Sequence, residues 1–314
     1  MTKVQTALSV MMKPLIESRL PDWVAPRWFS SKEQAHAMAP GTEIGWFDMY
    51  KKADMAPVIA NATELKWLNS IYAGVDGMPL DILQQRGVIF TNGAGINAIT
   101  IAEYVVMGML TLAKGFRDVI RAQDRHDWLQ VPPGSAELYG SKALLLGHGA
   151  IGKLIVERLN AFAVETTIVR RSPAPDALAP DQWQARLGEF DWVILAVPAT
   201  AETDHMIGAA ELAAMKSSAV LVNIARGSVV DQDALVAALQ AKTIGAAFLD
   251  VTTPEPLPAG HPLWSLDNAH ITMHLSGRGQ EKMFFRAAER FLENLARYHR
   301  GETLQPQVNL ALGY

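Results

Sequence analysis

A chain of 314 residues with 49% apolar and 19% charged side chains is long enough to build two hydrophobic cores. Its 28 basic and 32 acidic residues leave a net charge of −4, which gives no electrostatic reason to expect nucleic acid or an anionic membrane as a partner. The lack of any cysteine excludes disulfide staples, thiolate nucleophiles and Cys-ligated metal centres, and no metal is expected. The N-terminus has no signal-peptide pattern, and the most apolar longer run (98–113) is too short to span a bilayer and carries Glu103, so the sequence reads as cytoplasmic.

In chain order, "VQTALSV" (4–10), "MAPVIA" (55–60), "LKWLNSIYA" (65–73) and "GVIFTN" (87–92) read as strands separated by polar or helical segments. A long helix is expected from about Ile99 to Lys114. From about residue 140 the alternation sharpens. "KALLLG" (142–147), "TTIVR" (166–170), "DWVILAVP" (191–198), "AVLVNIA" (219–225), "IGAAFLDV" (244–251) and "AHITMHL" (269–275) are short and almost continuously apolar, as strands covered on both faces should be. Between them, Ile151, Ile155, Leu159 and Phe162 line one helical face, and Asp231 is placed to N-cap "DQDALVAALQ". A last helix over 281–301 ends at Gly301, suited to a C-cap. Strand–helix alternation of this kind implies parallel, doubly wound sheets in two α/β domains, with the long helices as connectors.

"LLLGHGAIGK" spaces Gly147, Gly149 and Gly152 as G-x-G-x-x-G between an apolar strand and an amphipathic helix. Gly147 allows the tight turn, Gly149 lets the backbone approach a pyrophosphate, and Gly152 lets the helix pack on the strand. The helix N-terminus then offers unpaired N–H groups to the phosphates. The competing reading is a strand–helix turn without a ligand. The next strand ends in Arg170, Arg171 and Ser172, where a site for the unphosphorylated dinucleotide usually carries an acid. Arginine forks match a phosphate and no carboxylate repels it, which points to NADP(H), with NAD still possible; the alternative is a solvated surface pair.

Three later strand ends carry polar residues that a core would not tolerate unpaired: Arg226 in "NIARGSVVD", Asp250 and Glu255 in "FLDVTTPEPLP", and His274 in "ITMHLSG". Each alone has a bland explanation as a surface charge or a structural histidine. Because ligands of doubly wound sheets bind beyond the carboxyl ends of the strands, the four could share one crevice. Arg226 would clamp a substrate carboxylate, and His274 would exchange a proton with Glu255 orienting it.

The chain resembles the NAD(P)-dependent D-2-hydroxyacid dehydrogenases, and within them the bacterial glyoxylate/hydroxypyruvate reductases. The resemblance runs from "SIYAGVD" (70–76) and "TNGAGINAITIAEYVV" (91–106) through the glycine loop, "AVPATAETDHMI" (196–207) and "LVNIARGSVVDQDAL" (221–235) to "LDVTTPEPLP" (249–258) and "HLSG" (274–277). It implies a Rossmann-type cofactor domain (99–281) inserted into a flavodoxin-like substrate domain (1–98 plus 282–314), a cleft that closes, and a homodimer built around the cofactor domains. It implies that Arg226 binds the substrate carboxylate and keto oxygen, that His274 is the general acid/base with Glu255 as partner, and that Asp250 contacts the nicotinamide carboxamide. The main chain of Ala73, Gly74 and Val75 would bind the substrate carboxylate. Ala150 and Ile151 would lie on the pyrophosphate, and Val197, Pro198, Thr203, Ile224, Ala225 and Gly277 would complete the cofactor site.

Two departures from the family pattern stand out. Met273 replaces the usual proline before the histidine, which should loosen that loop, and the arginine pair replaces the strand-end acid. The expected reaction is reduction of a small 2-oxo acid to the D-2-hydroxy acid with NADPH. The alternatives are an NAD-linked enzyme for a bulkier acid and a non-catalytic nucleotide-sensing module. Trp46, Phe47, Met49 and Trp128 would favour an apolar substrate if they faced the pocket, and otherwise are core or dimer contacts.

Overall fold

The computed structural model describes residues 3–49 and 51–313. The chain divides into two compact units, Met1–Asn97 with Gly279–Tyr314, and Ala98–Arg278.

In the first unit five parallel strands, β1 (Val4–Ser9), β2 (Val24–Phe29), β3 (Ile44–Trp46), β4 (Trp67–Asn69) and β5 (Ile89–Thr91), lie in the order β2-β1-β3-β4-β5. β2 contains Pro26, which cannot donate to a ladder, and it occupies the sheet edge, where that loss is tolerated. The 55–60 run expected as a strand is instead the helix Met55–Asn61. Its buried residues Met55, Val58 and Ile59 recur at helical spacing, and Pro57 sits in the first turn, where no intrahelical N–H is needed. The helix Gln280–Arg300 seals one sheet face. Phe291 is fully buried with its ring 4.8 Å from that of Trp46 and 5.2 Å from that of Trp67, a burial worth about 1.5–3 kcal/mol. The helix ends on Gly301 at φ 69°, the left-handed C-cap that glycine adopts without strain.

In the second unit seven parallel strands, β6 (Lys142–Leu146), β7 (Glu165–Val169), β8 (Ala177–Leu178), β9 (Trp192–Leu195), β10 (Val220–Asn223), β11 (Ala246–Leu249) and β12 (Ala269–Ile271), run in the order β12-β11-β10-β9-β6-β7-β8. All four residues of each of β9 and β10 are buried, which is why these segments read as unbroken apolar runs. Strand order reverses between β6 and β9, the position where doubly wound sheets open a crevice. On one face the helix Ala98–Ala113 packs so closely that a Cβ on Gly108 would stand 2.7 Å from the Phe248 ring. On the helix Ala150–Ala161, Ile155 and Leu159 are fully buried, but Phe162, expected on the same face, is 37% exposed because it caps the helix and turns away. Asp231 caps the helix Gln232–Gln240, accepting the Ala234 N–H at 3.0 Å. No single helix among the described residues is long and apolar enough to cross a membrane.

Candidate active site

The glycine loop spans the β6 end of the crevice. A Cβ on Gly147 (φ 103°) would lie 2.4 Å from the Ala196 carbonyl oxygen beyond β9, and one on Gly152 would lie 2.2 Å from the Gly147 carbonyl oxygen. Both positions therefore admit only glycine. Gly149 differs: its Cβ would meet nothing within 4 Å, so the approach to the start of the Ala150–Ala161 helix is open where a pyrophosphate needs main-chain contact. This cradle fits a dinucleotide. Ala150 and Ile151 form the first turn, and Ile224 and Ala225 are buried just beyond β10. Thr203 serves its own loop, donating to Pro198 O at 2.7 Å while accepting the Thr200 N–H at 2.9 Å. That loop follows Val197.

At the end of β7, Arg170 is half-buried while Arg171 and Ser172 are exposed. The expectation that no carboxylate opposes these arginines needs correction. Arg171 Nη2 lies 2.8 Å from Glu202 Oε2, a carboxylate supplied by the loop after β9 and therefore invisible in the local motif.

The polar strand ends converge because β10, β11 and β12 are neighbours in register, with Asn223 opposite Leu249 and Leu249 opposite Ile271. Arg226 follows β10 by a short turn in which Asn223 donates to Arg226 O at 3.0 Å and accepts the Ala225 N–H at 3.0 Å. Gly227 lets this turn press on the next loop, since its Cβ would stand 2.1 Å from Thr252 O. In that loop Glu255 accepts the Thr252 N–H through Oε1 at 3.2 Å and holds His274 Nδ1 through Oε2 at 2.7 Å. The side chains of His274 and Glu255 are 45% and 39% exposed, open to a substrate. Burial pushes the Glu255 carboxyl up, but the His274 bond and charge, the Thr252 N–H and the Arg226 guanidinium more than offset it and hold it below the usual carboxylate range.

His274 sits in a turn of uncommon geometry. Thr272 O accepts the Leu275 N–H at 3.1 Å, and the two central residues, Met273 and His274, have φ of 54° and 56°. Positive φ at both centres is the pattern of a type I′ turn, which usually demands Gly, Asn or Asp. Asp250, only 2% exposed, holds it there. Its Oδ1 accepts Thr272 Oγ1 at 2.8 Å, the Leu275 N–H at 3.0 Å and the Ser276 N–H at 3.1 Å, and its Oδ2 accepts the Ser276 hydroxyl. Asp250 O also accepts the His274 N–H at 2.6 Å. The loosening expected from Met273 in place of proline is opposed by these hydrogen bonds. A proline, fixed near φ −65°, has no place at this position, and the turn is tied down by hydrogen bonds instead. Gly277 follows directly.

In the other unit, Ala73 O accepts the Asn92 amide at 2.6 Å and Tyr72 O accepts the Gly93 N–H at 2.9 Å, fixing the chain that leads into Gly74 and Val75. Gly93 is required there, because its Cβ would fall 1.8 Å from Ile71 O. Trp46 and Phe47 are fully buried in this unit's core, Met49 is half-buried beside it, and Trp128 of the second unit is 87% exposed.

Two residues not singled out in the sequence brace these loops. Asp48 accepts the Ser70 hydroxyl at 2.7 Å, the Ile71 N–H at 2.5 Å and the Trp46 indole N–H at 2.7 Å. Gln232 pairs with Thr253 in both directions, at 2.6 and 2.9 Å, and so anchors the loop that carries Glu255. Their partners lie about 21 to 23 residues away in most cases, and no local spacing signals them.

Residues 106–276 match the family model described as D-isomer specific 2-hydroxyacid dehydrogenase, NAD binding domain. The chain is 33% identical over 241 residues to glyoxylate/hydroxypyruvate reductase B of Pectobacterium atrosepticum, covering 73% of this chain and 75% of that protein. A D-isomer specific 2-hydroxyacid dehydrogenase family protein from Aeromonas salmonicida superposes with a TM-score of 0.87 at 28% identity, over 99% of this chain and 100% of that one. The NADPH-dependent glyoxylate/hydroxypyruvate reductase of Sinorhizobium meliloti, solved with NADP and malonate, shares the fold at 22% identity, with a TM-score of 0.79 over 99% and 98% of the two chains. The chain belongs to the D-isomer specific 2-hydroxyacid dehydrogenases, a family of NAD(P)-dependent oxidoreductases.

Proposed function

We propose that this enzyme reduces a small 2-oxo acid of the glyoxylate or hydroxypyruvate type to the D-2-hydroxy acid with NADPH, and that His274 is its general acid/base. The observation that carries this reading is the 2.7 Å contact between His274 Nδ1 and Glu255, one strand over from Arg226. The Pectobacterium relative is a glyoxylate/hydroxypyruvate reductase, and the Sinorhizobium protein of the same fold is an NADPH-dependent one, which supports this substrate class and cofactor.

NADPH, when bound, supplies the hydride. The chain's own groups do the rest. With Nδ1 committed to Glu255, the His274 ring keeps one orientation and turns Nε2 toward the substrate. Protonated, Nε2 donates to the carbonyl oxygen as negative charge develops on it; in the oxidative direction the neutral ring takes the hydroxyl proton. Arg226 pairs with the substrate carboxylate and polarises the adjacent carbonyl, an arrangement suited to a planar guanidinium. Asp250 keeps the His274 turn in place, and the main chain of Ala73, Gly74 and Val75 offers N–H groups to the carboxylate. For the cofactor, the open main chain at Gly149 would receive the pyrophosphate, with Gly147 and Gly152 shaping the turn that presents it, and Arg170, Arg171 and Ser172 would meet the 2′-phosphate.

Parallel assays of NADPH and NADH oxidation against glyoxylate, hydroxypyruvate, pyruvate and phenylpyruvate test the substrate and cofactor assignments. His274→Ala is expected to lower kcat by about two to four decades with NADPH affinity intact. An unchanged kcat refutes the acid/base role. A homodimer is proposed on the exposed apolar set Phe116, Ile120, Trp128 and Val131, with Trp128 at 87% and Val131 at 75% exposure. Light scattering should report twice the chain mass for the wild type and a shift toward monomer for Trp128→Glu.

A further inference from the structure

The residue between the first two glycines, His148, lies within electrostatic reach of charges from three other segments. β6 and β7 pair with Leu146 opposite Val169, and the Gly147 N–H donates to Val169 O at 3.0 Å, so His148 and Arg170 leave the sheet on neighbouring strands. Lys153 comes from the helix Ala150–Ala161 that His148 precedes. Asp176 immediately precedes β8, where Leu178 O accepts the Arg170 N–H at 3.2 Å. Two fixed cations and one carboxylate therefore bear electrostatically on a half-buried imidazole at the end of β6. Nothing in the glycine-loop function requires a histidine there, since the middle position of that motif is unconstrained.

We propose that His148 is the titratable member of the pocket for the cofactor's 2′-phosphate, so that binding of NADPH draws a proton onto its imidazole. The inference rests on the NADP(H) reading above. In the free protein, burial together with the charges of Arg170 and Lys153 favours the neutral ring, against a smaller opposing effect of Asp176. A phosphate dianion placed among these groups reverses that balance: it offsets the two cations and adds an acceptor for a second imidazole N–H. The protonated ring then becomes a further donor to the phosphate, alongside Arg170 and Lys153. By linkage, a group that gains a proton on binding makes the affinity rise as pH falls through its ionisation in the complex. NADH carries no phosphate at this position and has no such dependence. The histidine thus makes the preference between the two cofactors a function of pH.

The test is titration of the cofactor-free protein with NADPH and with NADH between pH 6.5 and 8.5 by calorimetry, in two buffers of different ionisation enthalpy. Wild type is expected to bind NADPH about tenfold more tightly at pH 6.5 than at pH 8.5 with net proton uptake, within the usual range of such couplings. NADH binding should stay level. His148→Gln keeps the size and polarity of the side chain and should flatten the NADPH curve and abolish the uptake, with NADH affinity and circular dichroism unchanged as the check on folding. The phosphate's own ionisation near pH 6 is common to both proteins and cancels between them. A wild-type NADPH curve that is flat, or a slope that survives in His148→Gln, overturns the role of His148 while the preference for NADPH stands. NADH binding as tightly as NADPH throughout overturns the NADP(H) reading itself.

Discussion

Under the role proposed for His274, Asp250→Ala isolates what holds its turn in place. Removing the carboxylate leaves the Ser276 N–H and hydroxyl without their acceptor in a residue only 3% exposed, at about 1–3 kcal/mol for each unsatisfied group. Leu275 N–H keeps Thr272 O as an alternative, so its loss is smaller. Against this, the left-handed conformations of Met273 and His274 cost about 1–2 kcal/mol each. The two sums are of similar size, so without Asp250 the turn can relax to ordinary negative φ at little further cost. Relaxation carries the imidazole away from Glu255, and a misplacement of about 1 Å already costs on the order of a hundredfold in rate. The expected result is a fall in kcat of at least about a hundredfold. Thermal stability should drop by only a few degrees. Asp250→Asn retains one carbonyl oxygen for the three donors now on Oδ1 and should stay within about tenfold of wild type. Steady-state kinetics at saturating NADPH, thermal melts and amide exchange at Ser276 report the three quantities separately. A kcat for Asp250→Ala within a fewfold of wild type, or an Asn variant as impaired as Ala, refutes this account of the turn.

Met273→Pro should be far more damaging than its likeness to the family pattern suggests, since proline cannot adopt φ 54°; kcat comparable to wild type would show that the turn has another accessible form. Gly149→Ala and Gly152→Ala should separate binding from folding. The first adds a methyl that meets no protein atom and should abolish cofactor binding with melting unchanged, while the second presses 2.2 Å from Gly147 O and should lower the melting temperature outright. Glu255→Gln should destabilise at neutral pH but less so in acid. The Glu255 ionisation is depressed below its ordinary 4.5, so its contribution is complete above pH 4.5 and fades as pH falls through the folded-state value. Melting curves of wild type and variant should converge only in that acid range, and a constant difference down to pH 3 contradicts the assignment.

The second unit was the more legible in sequence because its strands are covered on both faces. Burial of every residue in Trp192–Leu195 and Val220–Asn223 writes an apolar run that little else imitates. β2 was hidden by Pro26, which argues against a strand unless the strand is known to be an edge, and edges are properties of the finished sheet. The 55–60 segment misled because six apolar or small residues in a row carry no period, so a strand and a helix of about two turns look alike. Arg226, Glu255 and His274 could be nominated from their strand-end positions. The contact between the last two depends on the register of β11 with β12, which no spacing states. The side-chain bonds of Asp250 run to Thr272, Leu275 and Ser276, 22 to 26 positions later, and no local spacing announces them.

Arg226, Glu255, His274 and the glycine loop all fall within the single contiguous stretch Ala98–Arg278, whereas the loop at Ala73–Val75 belongs to the unit made of the two chain ends. Under the proposed roles, heredity could therefore treat the reaction and its clientele as separate cassettes. Recombination that replaced the flanking segments would hand the same proton-transfer machinery a new oxo acid, and drift around Arg170 and His148 would change the reductant without touching either.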